Sequence, residues 1–276
     1  MSISYMNSSG KTFEFTKDNG IRVMDADFHK YSYEYEGSEL EFGIEKEKFK
    51  KKPCTYPVKL YFYGSANKRS QRMNELHDAA EFDRSNRKRG KLFRGDWYIG
   101  CYIIEGDSYS HENLNGVTVK DISFFCPYPF WIREVSKQFM PAIIPGIQDG
   151  LDFQFDYPFE FANNGPGTEK WFVDHYMPCD FEMTIYGPCI EPKIYVNRYQ
   201  YQIHTMLEEG EYLTIDSRRN SVIKYKRNGE IENIYNSRDF SYSVFKKMPC
   251  GLMYFDWNGM FGFDLTVFLE RSEPKW

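Results

Sequence analysis

The chain has 276 residues, a formal net charge of −5 and an aromatic content of 18%. Its acidic and basic residues are interspersed, so the overall charge gives no reason to expect binding to nucleic acid or to an anionic membrane. The length allows two domains of ordinary size, and the abundance of Tyr and Phe favours β-strands. The apolar runs are shorter than the roughly 18 residues of a membrane-spanning helix, and the first residues lack the pattern of a signal peptide. We therefore expect a mainly β protein that is made in a cytosol.

The first third of the chain predicts short strands joined by turns. Phe13 and Phe15 alternate with polar residues, and Ile21 and Val23 follow the pair Asn19-Gly20. Asn-Gly readily takes the two positive φ angles of a tight turn. These residues therefore predict a β-hairpin.

A single α-helix is predicted between about Ser65 and Arg87. Apolar residues recur there at spacings of three and four, which makes one apolar stripe on a helix. The stripe consists of Met73, Leu76, Ala79, Ala80 and Phe82. The basic residues after it suit the negative end of the helix dipole, and Gly90 is expected to take the left-handed conformation at the exit.

Two prolines interrupt an aromatic run near the middle of the chain. A strand predicted to begin near Val117 leads into this run. Proline fixes φ, donates no backbone hydrogen bond and disfavours a helical conformation of the residue before it, so the strand must leave its sheet here. We predict that the segment joins two domains and that its rings fill the joint. The candidate junction residues are Phe125, Cys126, Pro127, Pro129, Phe130 and Trp131.

The second half of the chain predicts strands and no second long helix. Ile132–Gly150 has poor periodicity and several Pro and Gly residues, which predicts a linker or a long loop. Short alternating runs then recur between turn signals about every 8–12 residues, as in an antiparallel sandwich or barrel. They are Phe153–Phe161, Phe181–Tyr186, Lys193–Val196, Glu211–Asp216, Ser221–Lys226, Gly251–Asp256 and Gly262–Glu270. Glu211–Asp216 is expected to pair with Ser221–Lys226.

Cysteine and histidine residues give little indication of a metal centre. The six cysteines are scattered without a Cys-x-x-Cys pair, so we expect reduced, mostly buried thiols and no disulfide framework. The nearest set of metal-ligating residues lacks the paired spacing of a zinc finger, and Met177-Pro178 interrupts any helix there. That set is His175, Cys179, Cys189 and His204. No metal or other cofactor is expected.

No catalytic motif is present: the chain has no phosphate loop, no His-Glu-x-x-His and no Gly-x-Ser-x-Gly. A glycosidase would need two carboxylates across a cleft. The candidates are Asp152, Asp156, Glu160, Glu169, Asp174 and Asp180, and the sequence gives no separation between any two of them. Trp171, Trp257 and Trp276 are candidates for stacking on sugar rings. We do not expect an enzyme.

Several landmarks, taken in chain order, resemble those of the distal tail proteins of siphophages, the long-tailed, non-contractile bacteriophages. The strand that enters Phe125–Trp131 resembles the junction F-x-C-P-x-P-[FY]-W of that family. Residues 185–194 resemble its hairpin I-x-G-x-x-x-x-P-x-I, and residues 210–216 with Asn228-Gly229 resemble its pair G-E-x-L-x-I-D and N-G. Residues 263–276 resemble a common family ending.

The resemblance covers nearly the whole chain and implies a mainly β fold in two parts. Residues 1–130 would form an N-terminal β-sandwich belt domain with one α-helix. Residues 131–276 would form a C-terminal antiparallel β-sandwich of the galectin-like kind, whose last strand returns to the N-terminal domain in some relatives.

The function implied by the resemblance is that of a structural baseplate hub in a virion tail, encoded by a phage or prophage and made in the bacterial cytoplasm. Copies of the belt would close into a hexameric ring, single or stacked, at the distal end of the tail tube. The partners would be the major tail protein and a tail-associated lysin, fibre or receptor-binding protein, with DNA only passing through the lumen and no membrane contact. Arg84, Arg87 and Arg89 are the candidate ring-interface residues.

Two other classes of function stay open at the level of sequence. A carbohydrate-binding or receptor-binding β-sandwich module is the alternative, because the chain is rich in aromatic residues and its second half is β-only. A glycoside hydrolase is a third reading, for which the scattered carboxylates are the motivation.

Overall fold

The computed structural model describes residues 2–110, 116–141 and 167–275. Three sequence predictions lie outside the described residues: the strand Phe153–Phe161, the latter part of the predicted linker, and the ring of Trp276. The carboxylates of Asp152, Asp156 and Glu160 lie outside them as well.

The chain divides into two compact units. Unit 1 comprises Met1–Arg133 together with Glu270–Trp276, and unit 2 comprises Glu134–Leu269. The described residues contain one α-helix and one 3-10 turn, and the remaining regular structure is β-strand. The predicted mainly β fold class is therefore confirmed.

Unit 1 is built from antiparallel strands and one helix. The strands are β1 (Ile3–Met6), β2 (Thr12–Glu14), β3 (Ile21–Ala26), β4 (Glu34–Leu40), β5 (Gly43–Lys50), β6 (Cys54–Tyr63), β7 (Gly90–Arg94), β8 (Trp97–Ser110) and β9 (Val117–Cys126), with helix α1 (Ala66–Ser85) between β6 and β7. One run of paired strands has the order β2-β1-β7-β8, and another has the order β3-β6-β9-β8. The long strand β8 takes part in both, and β4 and β5 form a separate hairpin.

The predicted hairpin around Asn19-Gly20 is wrong in its pairing. The turn itself is present, with Gly20 at φ +71° and its N–H donating to the carbonyl of Lys17 at 2.9 Å. The flanking strands diverge, because β2 pairs with β1 and β3 pairs with β6. An Asn-Gly pair sets the local reversal of the backbone, whereas the buried faces of neighbouring strands decide which partner each flanking strand takes.

Helix α1 forms where the sequence predicts it, but its buried face differs from the predicted stripe. Leu76, Ala79 and Ala80 are buried as expected. Phe82 is 44% exposed, and the next residue, Asp83, is completely buried in its place. Hydropathy alone predicts that Phe82 is buried. In the packed helix the Asp83 carboxylate is buried instead, because hydrogen-bond donors surround it there.

Asp83 is the polar centre of unit 1. Its carboxylate accepts a hydrogen bond from the Tyr5 hydroxyl at 2.5 Å, and from the backbone N–H and hydroxyl of Ser8 at 2.8 and 2.7 Å. Burial, followed by this hydrogen bond, raises the pKa of Tyr5 above its usual range. A buried carboxylate is tolerated only with such partners. The contact therefore fixes the helix to β1 and to the turn that follows it.

Gly90 makes room for this contact and does not serve as the helix exit. The backbone leaves the helix through Arg87, whose φ is +52°, so the predicted role of Gly90 is wrong. Gly90 instead begins β7, where an added Cβ would lie 2.6 Å from both the Asp83 carboxylate and the Tyr5 ring. The position requires glycine because two buried side chains occupy the space.

Unit 2 is a sandwich of antiparallel strands. They are β10 (Trp131–Phe139), β11 (Gly167–Val173), β12 (Asp180–Tyr186), β13 (Cys189–Ile190), β14 (Lys193–Val196), β15 (Tyr199–Gln202), β16 (Met206–Leu207), β17 (Tyr212–Asp216), β18 (Ser221–Tyr225), β19 (Ile231–Asn233), β20 (Gly251–Trp257) and β21 (Phe263–Arg271), with the 3-10 turn at Tyr235–Ser237. One sheet has the order β19-β18-β17-β12-β21-β10, and the other has the order β11-β20-β14-β15. Strands β10 and β21 each begin in one unit and end in the other.

The core of unit 2 lies between these two sheets. Phe139 of β10 is 1% exposed, and its ring centroid lies 4.4 Å from that of Phe263 on its own sheet and 4.5 Å from that of Phe255 on the other. Other fully buried or nearly fully buried core residues are Met183, Ile185, Leu265, Val267, Ile194, Val196 and Met253. Alternate residues of each strand face this layer, as expected for two packed antiparallel sheets.

Two predictions about unit 2 have clear outcomes. The expected pairing of Glu211–Asp216 with Ser221–Lys226 is confirmed, because β17 pairs with β18 across the turn. The expected linker Ile132–Gly150 is wrong in its first part, because β10 continues to Phe139. The Pro and Gly residues after residue 140 hid the alternation of buried and exposed residues in this strand. The strand ends at the buried Phe139.

We expect Asp83→Ala to lower the free energy of unfolding by about 3 kcal/mol, because it leaves the buried Tyr5 hydroxyl and the Ser8 donors without their acceptor. Chemical denaturation followed by circular dichroism measures the change. Asp78→Ala is the matched control, since Asp78 is an exposed carboxylate on the same helix. Equal stabilities of the two variants would contradict the assigned role of Asp83.

Candidate functional site

The proline-crossed segment lies between β9 and β10. Strand β9 ends at Cys126, as the prolines predict, and β10 begins at Trp131. Cys126 and Pro129 are buried, and Phe125, Pro127 and Phe130 are half-buried. The chain passes from unit 1 to unit 2 directly after Arg133.

Trp131 is fully buried among aromatic residues of unit 1. Its ring centroid lies 5.8 Å from that of Phe28 and 6.1 Å from that of Tyr56. The indole Nε1 donates a hydrogen bond of 3.3 Å to the Tyr56 hydroxyl. These contacts make Trp131 part of the core of unit 1. Its role in holding the two domains together stays a prediction.

The last residues of the chain contact the same region of unit 1. Tyr128 donates to the carboxylate of Glu270 at 2.8 Å, and the Lys51 ammonium donates to the carbonyl of Ser272 at 3.0 Å. The same ammonium lies 4.9 Å from the centroid of the Phe130 ring. These contacts hold the C-terminal segment, residues 270–275, beside the proline-crossed segment.

The three candidate arginines near the helix end differ in their surroundings. Arg84 is half-buried, donates to the carbonyl of Ile103 and pairs with Glu81 at 2.5 Å. Arg87 and Arg89 are exposed. Arg84 therefore has a structural role inside unit 1, whereas Arg87 and Arg89 are exposed, and their place in a ring interface stays a prediction.

The two candidate tryptophans of unit 2 belong largely to its core. Trp257 is 4% exposed, and its Nε1 donates to the carbonyl of Phe261 at 2.9 Å. Its ring is therefore not available to a ligand, and this candidate is wrong because the strand directs the side chain inward. Trp171 is half-buried, 6.5 Å from the rings of Phe139 and Phe255.

The outer face of the sheet β11-β20-β14-β15 carries two exposed aromatic side chains that were not among the stacking candidates predicted from the sequence. Phe172 is 65% exposed and Tyr254 is 44% exposed. A polar row crosses the sheet beside them, in which Thr168 donates to Asp256 at 3.0 Å and the next strand contributes Tyr195 opposite Asp256. Exposed aromatic rings offer an apolar surface for stacking, and the neighbouring carboxylate and hydroxyl groups offer hydrogen bonds.

An acidic hollow lies on one face of the sheet β3-β6-β9-β8. It has a volume of about 670 Å³. Its charged lining consists of Asp25, Asp27, Lys59, Glu105, Asp107 and Asp121. Within the described part of the chain, no group of three or more His, Cys, Asp or Glu residues is placed to hold a metal ion. The hollow therefore presents a mainly negatively charged surface.

The set of metal-ligating residues considered in the sequence is spread over unit 2. The Cys179 thiol donates to the carbonyl of Met177 at 3.3 Å, and His204 pairs with Glu191 at 3.6 Å. Cys189 lies in β13, whose partner strand is β16. These contacts are structural.

The motif residues of unit 2 that resemble the tail-protein family also have structural roles. An added Cβ at Gly187 would lie 2.2 Å from the carbonyl oxygen of Glu208. The Glu211 carboxylate accepts from the N–H of Glu208 at 2.9 Å and pairs with Lys224 at 2.7 Å. The hydrogen bond from Glu208, followed by Lys224, lowers the pKa of Glu211. Asp216 accepts from the backbone N–H of Arg218 at 2.9 Å and so caps the β17–β18 turn.

Comparison with solved structures shows likeness over nearly the whole chain. The SPP1 Dit (gp 19.1) protein, described as a paradigm of the hub adsorption apparatus in phages that infect Gram-positive bacteria, matches with a TM-score of 0.60 and 8% identity, covering 98% of this chain and 99% of its own. A chain of the phage P2 baseplate in its activated conformation with Ca matches with a TM-score of 0.61 and 11% identity, covering 99% of both chains. The same baseplate with Sr gives a TM-score of 0.60 and 11% identity over 99% of both chains.

These comparisons establish the fold. No family model and no curated protein sequence matches the chain. The resemblance to phage baseplate hub proteins that the motifs predict is confirmed at the level of the fold.

We expect Trp131→Ala to destabilise unit 1 by about 3–5 kcal/mol, as is usual when a buried tryptophan is truncated in a packed core. Hydrogen exchange of the backbone amides of β6 and β9 measures the loss. Tyr128→Ala is the control within the same segment, since Tyr128 is 39% exposed. Unchanged exchange in β6 would show that the indole does not support the core of unit 1.

Proposed function

We propose that the chain is a structural hub protein of a phage baseplate, located at the distal end of the tail tube. The observation that carries the proposal is the fold shared with the SPP1 Dit protein and the phage P2 baseplate over 98–99% of this chain. The similarity covers both units. The proposal therefore rests on the whole chain and not on a single β-sandwich domain, a fold that many unrelated proteins share. The order of the family motifs along the sequence supports it independently.

In the proposed assembly, unit 1 forms a hexameric ring that leaves a channel for DNA. Such a ring needs a heterologous interface, in which one surface of each subunit contacts a different surface of the next. The exposed Arg87 and Arg89 supply charge for one of these surfaces, because the helix end presents them outward while Arg84 is engaged within the unit. The ring would join the major tail protein to a tail-associated lysin, fibre or receptor-binding protein.

The first test is the mass of the assembly in solution. Light scattering of the purified chain is expected to give about six times the 32.9 kDa of one chain, or twice that value for stacked rings. Negative-stain images are expected to show six-fold rings. A strict monomer at high protein concentration and low salt would contradict the proposal.

The double variant Arg87→Glu, Arg89→Glu tests the proposed interface. Reversal of two exposed charges is expected to shift the assembly to monomers while each chain stays folded. Arg227→Glu is the matched control, since Arg227 is an exposed arginine in unit 2. If the double variant still forms rings, the two arginines do not belong to the interface, and the proposed hub function is unaffected.

A carbohydrate-binding role of unit 2 is the second candidate function. The outer face of the sheet β11-β20-β14-β15 supports it, because Tyr254 is 44% exposed and stands beside Asp256 and Lys170, whose ammonium lies 5.3 Å from the Tyr254 ring centroid. The fold alone would not support it, since related folds host unrelated functions.

Glycan-array binding tests this second function. Tyr254→Ala is expected to abolish binding, since stacking on the ring provides the apolar contact with a sugar. Tyr235→Ala is the control, because Tyr235 is 37% exposed in the same unit and lies outside the sheet. If the wild-type protein forms the hexameric ring but binds no glycan on the array, the carbohydrate-binding role is contradicted.

A further inference from the structure

Two cysteines of unit 1 lie directly opposite each other on neighbouring strands. Cys54 is the first residue of β6 and Cys126 is the last residue of β9, and the two are register partners in the antiparallel pair. Opposed residues in antiparallel strands place their side chains on the same face, with Cα atoms about 4.5–5.5 Å apart. A disulfide accommodates Cα separations of about 4.4–6.8 Å. The two thiols are free, and the backbone already holds them at bonding range.

The two thiols are unequal in access and in chemistry. Cys54 is partly exposed, whereas Cys126 has no exposed surface. The Cys126 thiol donates to the carbonyl of Phe124 at 3.7 Å. Hydrogen bonding with the Cys126 side chain lowers the pKa of the Cys54 thiol, burial opposes this, and Tyr56 and Lys51 add to the lowering. Hydrogen bonding with Cys54, followed by burial, raises the pKa of Cys126.

Two further titratable side chains stand beside the pair. Lys51 lies on the connection before β6; burial lowers the pKa of its ammonium, and the two cysteines and Glu273 of the C-terminal segment oppose this. The Tyr56 hydroxyl also accepts from the indole of Trp131, and burial raises the pKa of Tyr56. Cys54 is thus the accessible thiol of the pair, with a lowered pKa, and Cys126 is the buried thiol behind it.

We propose that Cys54 and Cys126 form a thiol–disulfide exchange site whose oxidant is a small-molecule disulfide. The Cys54 thiolate attacks one sulfur of the small disulfide, so that a mixed disulfide forms and one small thiolate leaves. Cys126 then gives its proton to that thiolate, attacks the Cys54 sulfur and expels the second small thiolate, which takes up a proton from water. The protein loses the thiol hydrogens of both cysteines, and the small disulfide is reduced to two thiols.

The bond formed in this way would join the start of β6 to the end of β9, immediately before the proline-crossed segment. It would link two strands of unit 1 that are otherwise held by backbone hydrogen bonds and packing. The inference does not require ring formation. If the proposed hub function is also correct, the pair would be reduced in the cytoplasm during assembly and oxidised after release, because only the second environment is oxidising.

The other four cysteines lack this arrangement. Burial raises the pKa of Cys101, which has no exposed surface, and raises that of Cys189 to about 11. Cys179 is buried and donates to the carbonyl of Met177. Cys250 is partly exposed, as Cys54 is, and therefore serves as the internal control for access alone.

The test treats the full-length, folded chain at neutral pH with one equivalent of an aromatic disulfide such as dithiobis-nitrobenzoate. We expect rapid release of both aromatic thiols per chain, no aromatic group left on the protein, and a Cys54–Cys126 crosslink in the peptide map. Cys54→Ser is expected to abolish the rapid phase, and Cys250→Ser is expected to leave it unchanged. Retention of the aromatic group on wild-type Cys54, or faster reaction at Cys250, would overturn the proposal.

Two changes at Cys126 separate its roles as donor and as second nucleophile. Cys126→Ser keeps a hydroxyl donor, so Cys54 is expected to react rapidly and to retain one aromatic group. Cys126→Ala removes the donor as well, so the pH profile of the Cys54 rate is expected to move to higher pH and the rate at neutral pH to fall about tenfold. Near-native far-ultraviolet circular dichroism verifies that both variants are folded. Release of both aromatic thiols from either variant would show that Cys126 is not the second nucleophile.

Discussion

The buried carboxylate of Asp83 is the interaction on which the helix-containing unit depends. It joins the only α-helix of the described chain to the first strand through Tyr5 and to the following turn through Ser8. An unpaired buried carboxylate would be strongly unfavourable, so the helix can dock in one rotation only. That rotation turns Phe82 outward and requires glycine at residue 90.

The same rotation determines what unit 1 presents to other molecules. Once Asp83 points inward, Arg84 falls beside β8 and bonds to the carbonyl of Ile103, and the helix ends in a left-handed turn at Arg87. Arg87 and Arg89 are then exposed beyond the helix end. A structural constraint in the core thus leaves two of three neighbouring arginines exposed, a distinction that a count of basic residues does not make.

The motif residues that suggested a phage tail protein explain the fold more directly than the function. Gly187 permits close approach of the backbone at Glu208, Glu211 bonds to that backbone and to Lys224, and Asp216 caps a turn. Each of these residues meets a backbone requirement that few residue types satisfy. Because these residues determine the backbone, the likeness to solved structures supports a shared architecture. Binding to partners depends on exposed residues and must be tested there.

Local features of the fold could be predicted from the sequence alone, because helix periodicity, turn residues and prolines act over a few neighbouring positions. The helix at residues 66–85, the β17–β18 hairpin and the end of β9 at Cys126 are of this kind. Tertiary structure alone decided the features that need distant residues: the separate partners of β2 and β3, the burial of Asp83 and Trp257, and the pairing of Cys54 with Cys126. No sequence spacing encodes these, since strand register and core packing bring together residues whose separation along the chain carries no periodic signal.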